Sequence, residues 1–329
     1  MPLPDWARAH GSPLFSAVIR SKPDEFDVTE ELGFEFSGDG EHDYLFVEKV
    51  NANTEWVSRQ LAQHADVAAR DVGYAGLKDR HALTRQWFSV PRWHAPDWSR
   101  LDHEGVRVLD LQRHNRKLRR GAHTGNRFRI VLRGALPQGD ELGERLAIIA
   151  SFGVPNYFGE QRFGRGGGNV TLADDWAKGK KLPRHKRSFA ISTARSYLFN
   201  QFLDARVHDR NWDQLLEGDV ANLDGSGSVF TVTALDDDLT RRCEQMDLHP
   251  AGPLYGDGSP VSGVCAAHES WLAALTNARV KPANRSLRLR VADLEWAAAD
   301  DSLVLEFALG RGAFATSVLR EIANIANAN

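Results

Sequence analysis

Cysteine is nearly missing from this 329-residue chain: it occurs twice, as Cys243 and Cys265, and never as a CxxC pair. That leaves no basis for a disulfide framework or a thiolate metal site, and it fits a reducing cytoplasm. No apolar run approaches the ~18 residues of a membrane span. The opening Met1-Pro-Leu-Pro-Asp-Trp-Ala-Arg8 lacks the apolar stretch of a secretory leader. The expected location is therefore cytoplasmic, with no membrane partner. The twelve histidines contain no HExxH and no close pair spaced for a metal. There is no G-x-S-x-G nucleophile elbow. Gly164-Arg-Gly-Gly-Gly-Asn169 is glycine-rich but lacks the Lys-Ser/Thr ending of a phosphate loop. No cofactor and no metal are expected.

What is present points elsewhere. Hydrophobic residues make up 42% and charged residues 26%, as in ordinary packed proteins, and the length implies two domains or three. The net charge of −3 conceals strong segregation. Residues 113–133 carry Arg113, Arg116, Lys117, Arg119, Arg120, Arg127, Arg129 and Arg133 without one acid. Residues 178–187 add Lys178, Lys180, Lys181, Arg184, Lys186 and Arg187, and a third cluster holds Arg279, Lys281, Arg285, Arg288 and Arg290. Residues 24–48 and 213–247 are acidic in turn. One such cluster reads as a solvated face; three acid-free runs favour a polyanion partner despite the slightly negative sum.

Alternating patterns predict strands near 15–20, 25–32, 43–50, 71–75, 86–91, 106–112 and 127–133. Helical spacing predicts a helix over 54–65 through Val57, Leu61 and Ala65, and another over 140–151 through Leu142, Leu146 and Ile149. Without regular βαβ alternation, the reading is α+β: a mostly antiparallel mixed sheet flanked by helices. Beyond residue 152 the pattern changes, with helices predicted over 189–207 and 264–280 around the acidic, turn-rich 213–247. Strand character returns at 285–291 and 302–309, followed by a predicted helix over 314–325. The simplest account is a catalytic sheet domain of 1–152 plus 286–329, interrupted by a second, inserted α+β module at 153–285.

Three segments can carry chemistry. Tyr74-Ala-Gly-Leu-Lys-Asp-Arg-His81 sets Asp79 between Lys78 and Arg80 on the turn leaving a short strand. A carboxylate among cations is held in its charged form and can serve as nucleophile, base or electrostatic stabiliser. Taken alone, the triplet also reads as a solvated surface turn. In Gly125-Asn-Arg-Phe128, Asn126 and Phe128 lie two apart on a strand and share a face. A ring that stacks and an amide that reads an edge suit a flipped-out base, although a core Phe beside a turn Asn would look the same. In residues 155–165, Tyr157, Phe158 and Phe163 interleave with Arg162 and Arg165, which suits bases with phosphates, or an aromatic domain junction.

Together these segments resemble the TruD family of tRNA pseudouridine synthases. The resemblance runs nearly end to end, through Lys22-Pro-Asp-Glu-Phe-Asp-Val-Thr-Glu30, Gly76-Leu-Lys-Asp-Arg80 with Thr84 and Gln86, and Gly125-Asn-Arg-Phe128. It continues through Pro155-Asn-Tyr-Phe-Gly159, Gln161-Arg-Phe-Gly164, Lys186-Arg-Ser-Phe189, Ala194-Arg-Ser196 and Leu198-Phe-Asn200. It closes on Gly312-Ala-Phe-Ala-Thr-Ser-Val-Leu-Arg-Glu321, and is poor over 210–280.

The resemblance implies a pseudouridine-synthase sheet domain with a family-specific insertion, and isomerisation of a tRNA uridine, typically U13 of the D-arm. The expected partner is tRNA, and the protein is expected to act on it as a monomer without a cofactor. Asp79 matches the catalytic aspartate, Phe128 the base-stacking aromatic and Asn126 an active-site amide. Arg20 falls where the family has a basic residue near the aspartate, and Lys22 is the alternative partner. Asp79 could attack C1′, add to C6 or remove the 2′ proton. Lys78, Arg80, Arg116, Lys117, Arg119, Arg120, Arg162, Lys186 and Arg187 are expected to bind RNA. A non-catalytic tRNA binder and an RNA glycosidase are the rival readings.

Overall fold

A computed structural model describes residues 3–259 and 263–328. The chain divides into two compact units, each drawn from separated stretches. A sheet unit comprises Leu14–Leu142, Val291–Gly312 and Ala323–Asn329; a helix-rich unit comprises Met1–Pro13, Gly143–Arg290 and Ala313–Ile322. The boundaries drawn from the sequence stand ten residues later at the first crossing and a few earlier at the second. Periodicity identifies the helix Glu141–Phe152 but not the unit to which most of it belongs. Nor does it reveal that residues near 8 and 320 pack together, with Arg8 Nε donating to the Arg320 carbonyl at 3.1 Å.

The sheet unit holds β1 (Phe15–Ile19), β2 (Phe26–Leu32), β3 (His42–Val50), β4 (Gly73–Tyr74), β5 (Leu83–Pro91), β6 (Val106–His114) and β7 (His123–Arg133). Its main path runs Ala292–Ala299, Ser302–Gly310, β7, β2, β5, β3, β6. Only β2 and β5 pair in parallel along it, so the sheet is mixed and mostly antiparallel. One helix, α1 (Thr54–His64), lends Val57 and Leu61 to a core with Leu45, Val47 and Phe88.

Residues opposite one another across a ladder share a face. The register Phe26↔Ile130, Val28↔Phe128 and Glu30↔Asn126 continues through Phe128↔Phe307, Val28↔Thr84, Val47↔Gln86 and Lys49↔Thr84. This inner face is mostly apolar, with Glu30, Asp43, Thr84, Gln86, Lys49 and Asn126 among its polar members. The opposite face is a charge lattice: Arg85 bridges Asp27 and Glu48, Arg107 meets Glu48, Arg127 meets Glu31 and Asp293, and Arg129 meets Glu306.

Two elements differ from the sequence reading. The helix expected over 314–325 stops at Leu319, and Ala323–Asn327 is a strand paired in parallel with β1. Asparagine is a weak helix former, and the open edge of β1 offers backbone partners that outweigh local propensity. The strand Ala292–Ala299 has no counterpart in that reading; six of its eight residues are exposed or charged, so no alternation marks it.

In the helix-rich unit, which takes in most of α2 (Glu141–Phe152), α3 (Gly168–Ala177) and α4 (Arg184–His208) contribute to a core with Tyr157, Phe163, Tyr197, Phe199 and Trp271. α4 begins after Pro183, which pre-sets the entry backbone, and buries Ala190, Ala194, Leu198 and Leu203. A four-stranded antiparallel sheet follows the order Val229–Thr231, Val220–Leu223, Leu248–Leu254, Ala283–Ser286. Among the described residues, no helix is long and apolar enough to cross a membrane.

Candidate active site

The loop that follows β4 is pinned from beneath by buried polar side chains of the inner face. Gln86 Nε2 donates to the Gly76 carbonyl at 3.1 Å, and the Lys78 amide donates to Thr54 Oγ1 at 3.0 Å. Thr54 in turn donates to Gln86 Oε1 at 2.8 Å. Lys49, fully buried, reaches the carbonyls of Ala52 at 2.7 Å and Asp79 at 2.9 Å. Burial pulls the Lys49 ammonium down to about 8, with Asp79 opposing the shift and Lys78 adding to it.

Lys78 turns inward. Its Nζ lies 2.9 Å from Glu30 Oε2 and donates to Asn126 Oδ1 at 2.5 Å, with 6% of the lysine side chain exposed and none of the glutamate. Burial raises the Glu30 carboxyl, and Lys78 counters it. His123 lies beside the glycine at 76, and burial, then Lys78 and Arg311, push its imidazole down to about 4, so it is neutral near pH 7. A Cβ added at Gly76 would come into ordinary contact with His123, at 3.4 Å.

Asp79 faces outward, with 45% of its side chain exposed. Arg20 Nη2 donates to its Oδ2 at 2.6 Å, so Arg20 is the cation that meets the carboxylate. Arg20 has a left-handed backbone, φ +61°, which turns the chain at the end of β1. Its Nη1 donates to Asn327 Oδ1 at 2.9 Å, and its guanidinium lies 4.0 Å over the Phe26 ring. Phe26, Glu30, Asn126 and Phe128 share the inner face. Arg20 with Asp79 at one point, and Lys78 at another, therefore stand over the same side of the sheet as Phe128. That ring is 7% exposed and stacks on Phe307 at 5.4 Å.

The basic loop between β6 and β7 adjoins the root of this site. Leu118 is its buried peg, its amide donating to Ser89 Oγ at 2.8 Å, while Arg116, Lys117, Arg119 and Arg120 are exposed. Arg120 lies 3.6 Å over the Tyr74 ring, and the Gly121 amide donates to the Ala75 carbonyl at 2.8 Å. Lys117 Nζ donates to the Arg70 carbonyl at 2.5 Å, and Arg80, also exposed, donates to the Asn51 carbonyl at 3.3 Å. Among the described residues, none of these five cations forms an ion pair with a carboxylate.

The helix-rich unit holds Arg162, Lys186 and Arg187. Arg162 is partly buried, donates to Ser192 Oγ at 3.0 Å and lies 5.4 Å over Phe158. Lys186 and Arg187 are exposed on the first turns of α4.

Three expectations about charge change. Lys78, expected on the RNA-facing surface, is instead a buried partner of Glu30. The third basic run is divided: Arg288 is buried and donates to His249 and to the Leu248 carbonyl, Arg285 binds Asn156 and lies 4.2 Å over Phe158, and exposed Arg290 meets Asp224, while Arg279 and Lys281 stay exposed. Arg127, Arg129 and Arg133 are matched by acids from neighbouring segments. A run without acids in sequence can be rich in them once strands pair. Glu30 and Lys49 escaped the sequence reading, yet each left a signal. They occupy the inward phase of their strands, after Phe26 and Val28 and after Leu45 and Val47. A charge in an apolar phase marks a buried polar site.

Comparison with known proteins decides the family. The family described as tRNA pseudouridine synthase D (TruD) matches residues 9–173 and 171–322. The chain belongs to the TruD family. A tRNA pseudouridine synthase D of Nitrosococcus oceani is 47% identical over 326 residues, covering 94% of this chain and 91% of that one. One from Methylococcus capsulatus is 46% identical, covering 97% and 94%. A solved structure of a putative tRNA pseudouridine synthase D from Methanosarcina mazei superposes with a TM-score of 0.74 at 21% identity, covering 98% of this chain and 96% of that one. At that identity the likeness speaks for the shared α+β fold.

Proposed function

We propose that the protein isomerises uridine to pseudouridine at position 13 in the D-arm of tRNA, with Asp79 as the catalytic carboxylate. The observation that carries this reading is the placement of Asp79. It is half-exposed, held by Arg20, and rooted over the sheet face that bears Asn126 and Phe128. A pure RNA binder gains nothing from an acid aimed at a bound nucleotide.

The target nucleotide must first leave its stack, which costs a few kcal/mol. Exposed Arg80, Arg116, Lys117, Arg119 and Arg120 hold phosphates and offset that cost. Lys186 and Arg187 are assigned the same role on the helix-rich unit, together with Arg162. The N1–C1′ bond then breaks, the uracil turns without leaving, and C5 joins C1′. C5 gives up its proton and N1 gains one, so atoms and charge balance without an oxidant. Asp79 meets the sugar or the base while Arg20, donating to its Oδ2, keeps it aimed. Asn126, its oxygen taken by Lys78, offers its amide N–H groups to a uracil carbonyl. Phe128 supplies a stacking surface. So little of its ring is exposed in the free protein that a base seated there requires the covering groups to move.

The reading is tested by incubating a tRNA transcript with the wild-type enzyme and with Asp79→Asn, then mapping carbodiimide adducts by primer extension. A stop at position 13 with wild type and none with the variant is the expected result. Release of free uracil would reveal a glycosidase, and normal conversion by Asp79→Asn would remove the aspartate from the chemistry.

A further inference from the structure

The loop that carries Asp79 also carries an apolar side chain that packing does not account for. Leu77 is 64% exposed. A singly exposed leucine is ordinary on a protein surface. Leu77 differs because its backbone is fixed. Gly76, Lys78 and Asp79 are each bonded from beneath, by Gln86, Thr54 and Lys49. Exposure alternates along the loop, with Leu77 and Asp79 outward and Lys78 inward. The leucine therefore cannot retract, and it projects on the same outward side as the carboxylate two residues on.

We propose that Leu77 is an RNA wedge, an apolar side chain that enters the base stack of the substrate and fills the space left by the nucleotide delivered to Asp79. This rests on the pseudouridine synthase reading above. An apolar group inserted between bases replaces part of the stacking lost when a nucleotide is extruded, and proteins that distort nucleic acids use Leu, Ile, Phe and Met in this way. The rigid loop matters, because a wedge on a flexible loop would fold back rather than displace a base. The two side chains act in complement, Leu77 occupying the gap and Asp79 meeting what came out of it.

The test uses two RNAs of one sequence. In the first the target uridine sits in an intact stack beside a 2-aminopurine reporter. In the second, abasic sites flank the uridine, so there is no stack to refill. Leu77→Ala should slow single-turnover conversion of the stacked RNA by about 10- to 100-fold. It should leave the Kd within about fivefold, and it should lose the fluorescence rise that accompanies unstacking. On the abasic-flanked RNA its rate should match wild type, and Leu77→Met should behave as wild type on both. The proposal is overturned if Leu77→Ala converts stacked RNA at the wild-type rate. Equal slowing on both RNAs would overturn it too, since that marks a loop-shaping role. Failure of the wild-type enzyme to convert either RNA would refute the functional reading itself, and the wedge with it.

Discussion

Replacing Lys49 with methionine separates the stability of the fold from the aim of the carboxylate. The ammonium donates to two main-chain carbonyls, those of Ala52 and Asp79. Charge-assisted bonds of this kind contribute ~1.5–3 kcal/mol each. Against them stands the cost of burying the cation. The fall from 10.5 to about 8 corresponds to an upper limit of ~3 kcal/mol. Methionine removes both effects, so Lys49→Met should destabilise the protein by only ~0–3 kcal/mol in urea unfolding. Catalysis should suffer far more. With its carbonyl released, the backbone of Asp79 can drift, and a misplacement of ~1 Å costs about 100-fold in rate. The expected signature is kcat lowered about 100-fold with tRNA affinity little changed.

A pH series supplies the sign check. In the wild type the folded lysine loses its proton near pH 8, while the unfolded lysine keeps it to 10.5. Between those values the unfolded state binds more protons, so stability rises with pH, and below pH 8 the full burial cost remains. Tyr44, pushed up to about 12 by burial, reverses the trend above pH 10. The rise between pH 8 and 10 should be missing in Lys49→Met. A variant whose kcat stays within twofold of wild type, or that keeps the alkaline rise, would refute the reasoning.

Three further outcomes follow from the site. Phe128→Ala should slow single-turnover conversion about 10- to 100-fold, in line with ~1–3 kcal/mol of lost stacking; unchanged kinetics would remove the ring from base binding. Neutralising Arg116, Lys117, Arg119 and Arg120 together should weaken tRNA binding and flatten the log–log salt slope by about 3. A titration in KCl reads this, and an unaltered slope would return the loop to a merely solvated role. Glu30→Gln leaves the Lys78 ammonium without its buried counter-charge and should cost ~3–5 kcal/mol in urea unfolding; a loss below ~1 kcal/mol would mean that the carboxyl is already neutral in the folded protein.

Local pattern made the sheet unit legible because most of its strands alternate cleanly and α1 repeats at Val57 and Leu61. Asp79, Asn126 and Phe128 stood out because their chemistry is local: a carboxylate among cations, and an amide two residues from a ring. What stayed hidden depends on pairing at long range. The network of Lys49, Glu30 and Lys78 needs three strands and a loop in register before it exists. Arg285 and Arg288 look like surface cations until Phe158, Asn156 and His249 close around them. Ala323–Asn327 is a strand only because β1 has a free edge to receive it.

Asn327 steadies Arg20 from 307 positions away. A newly made chain can complete most of its ladders and still leave the arginine unsteered, with β1 presenting a raw edge to any passing strand. Tethering, tagging or clipping near residues 323–327 would therefore act as a remote dimmer on catalysis.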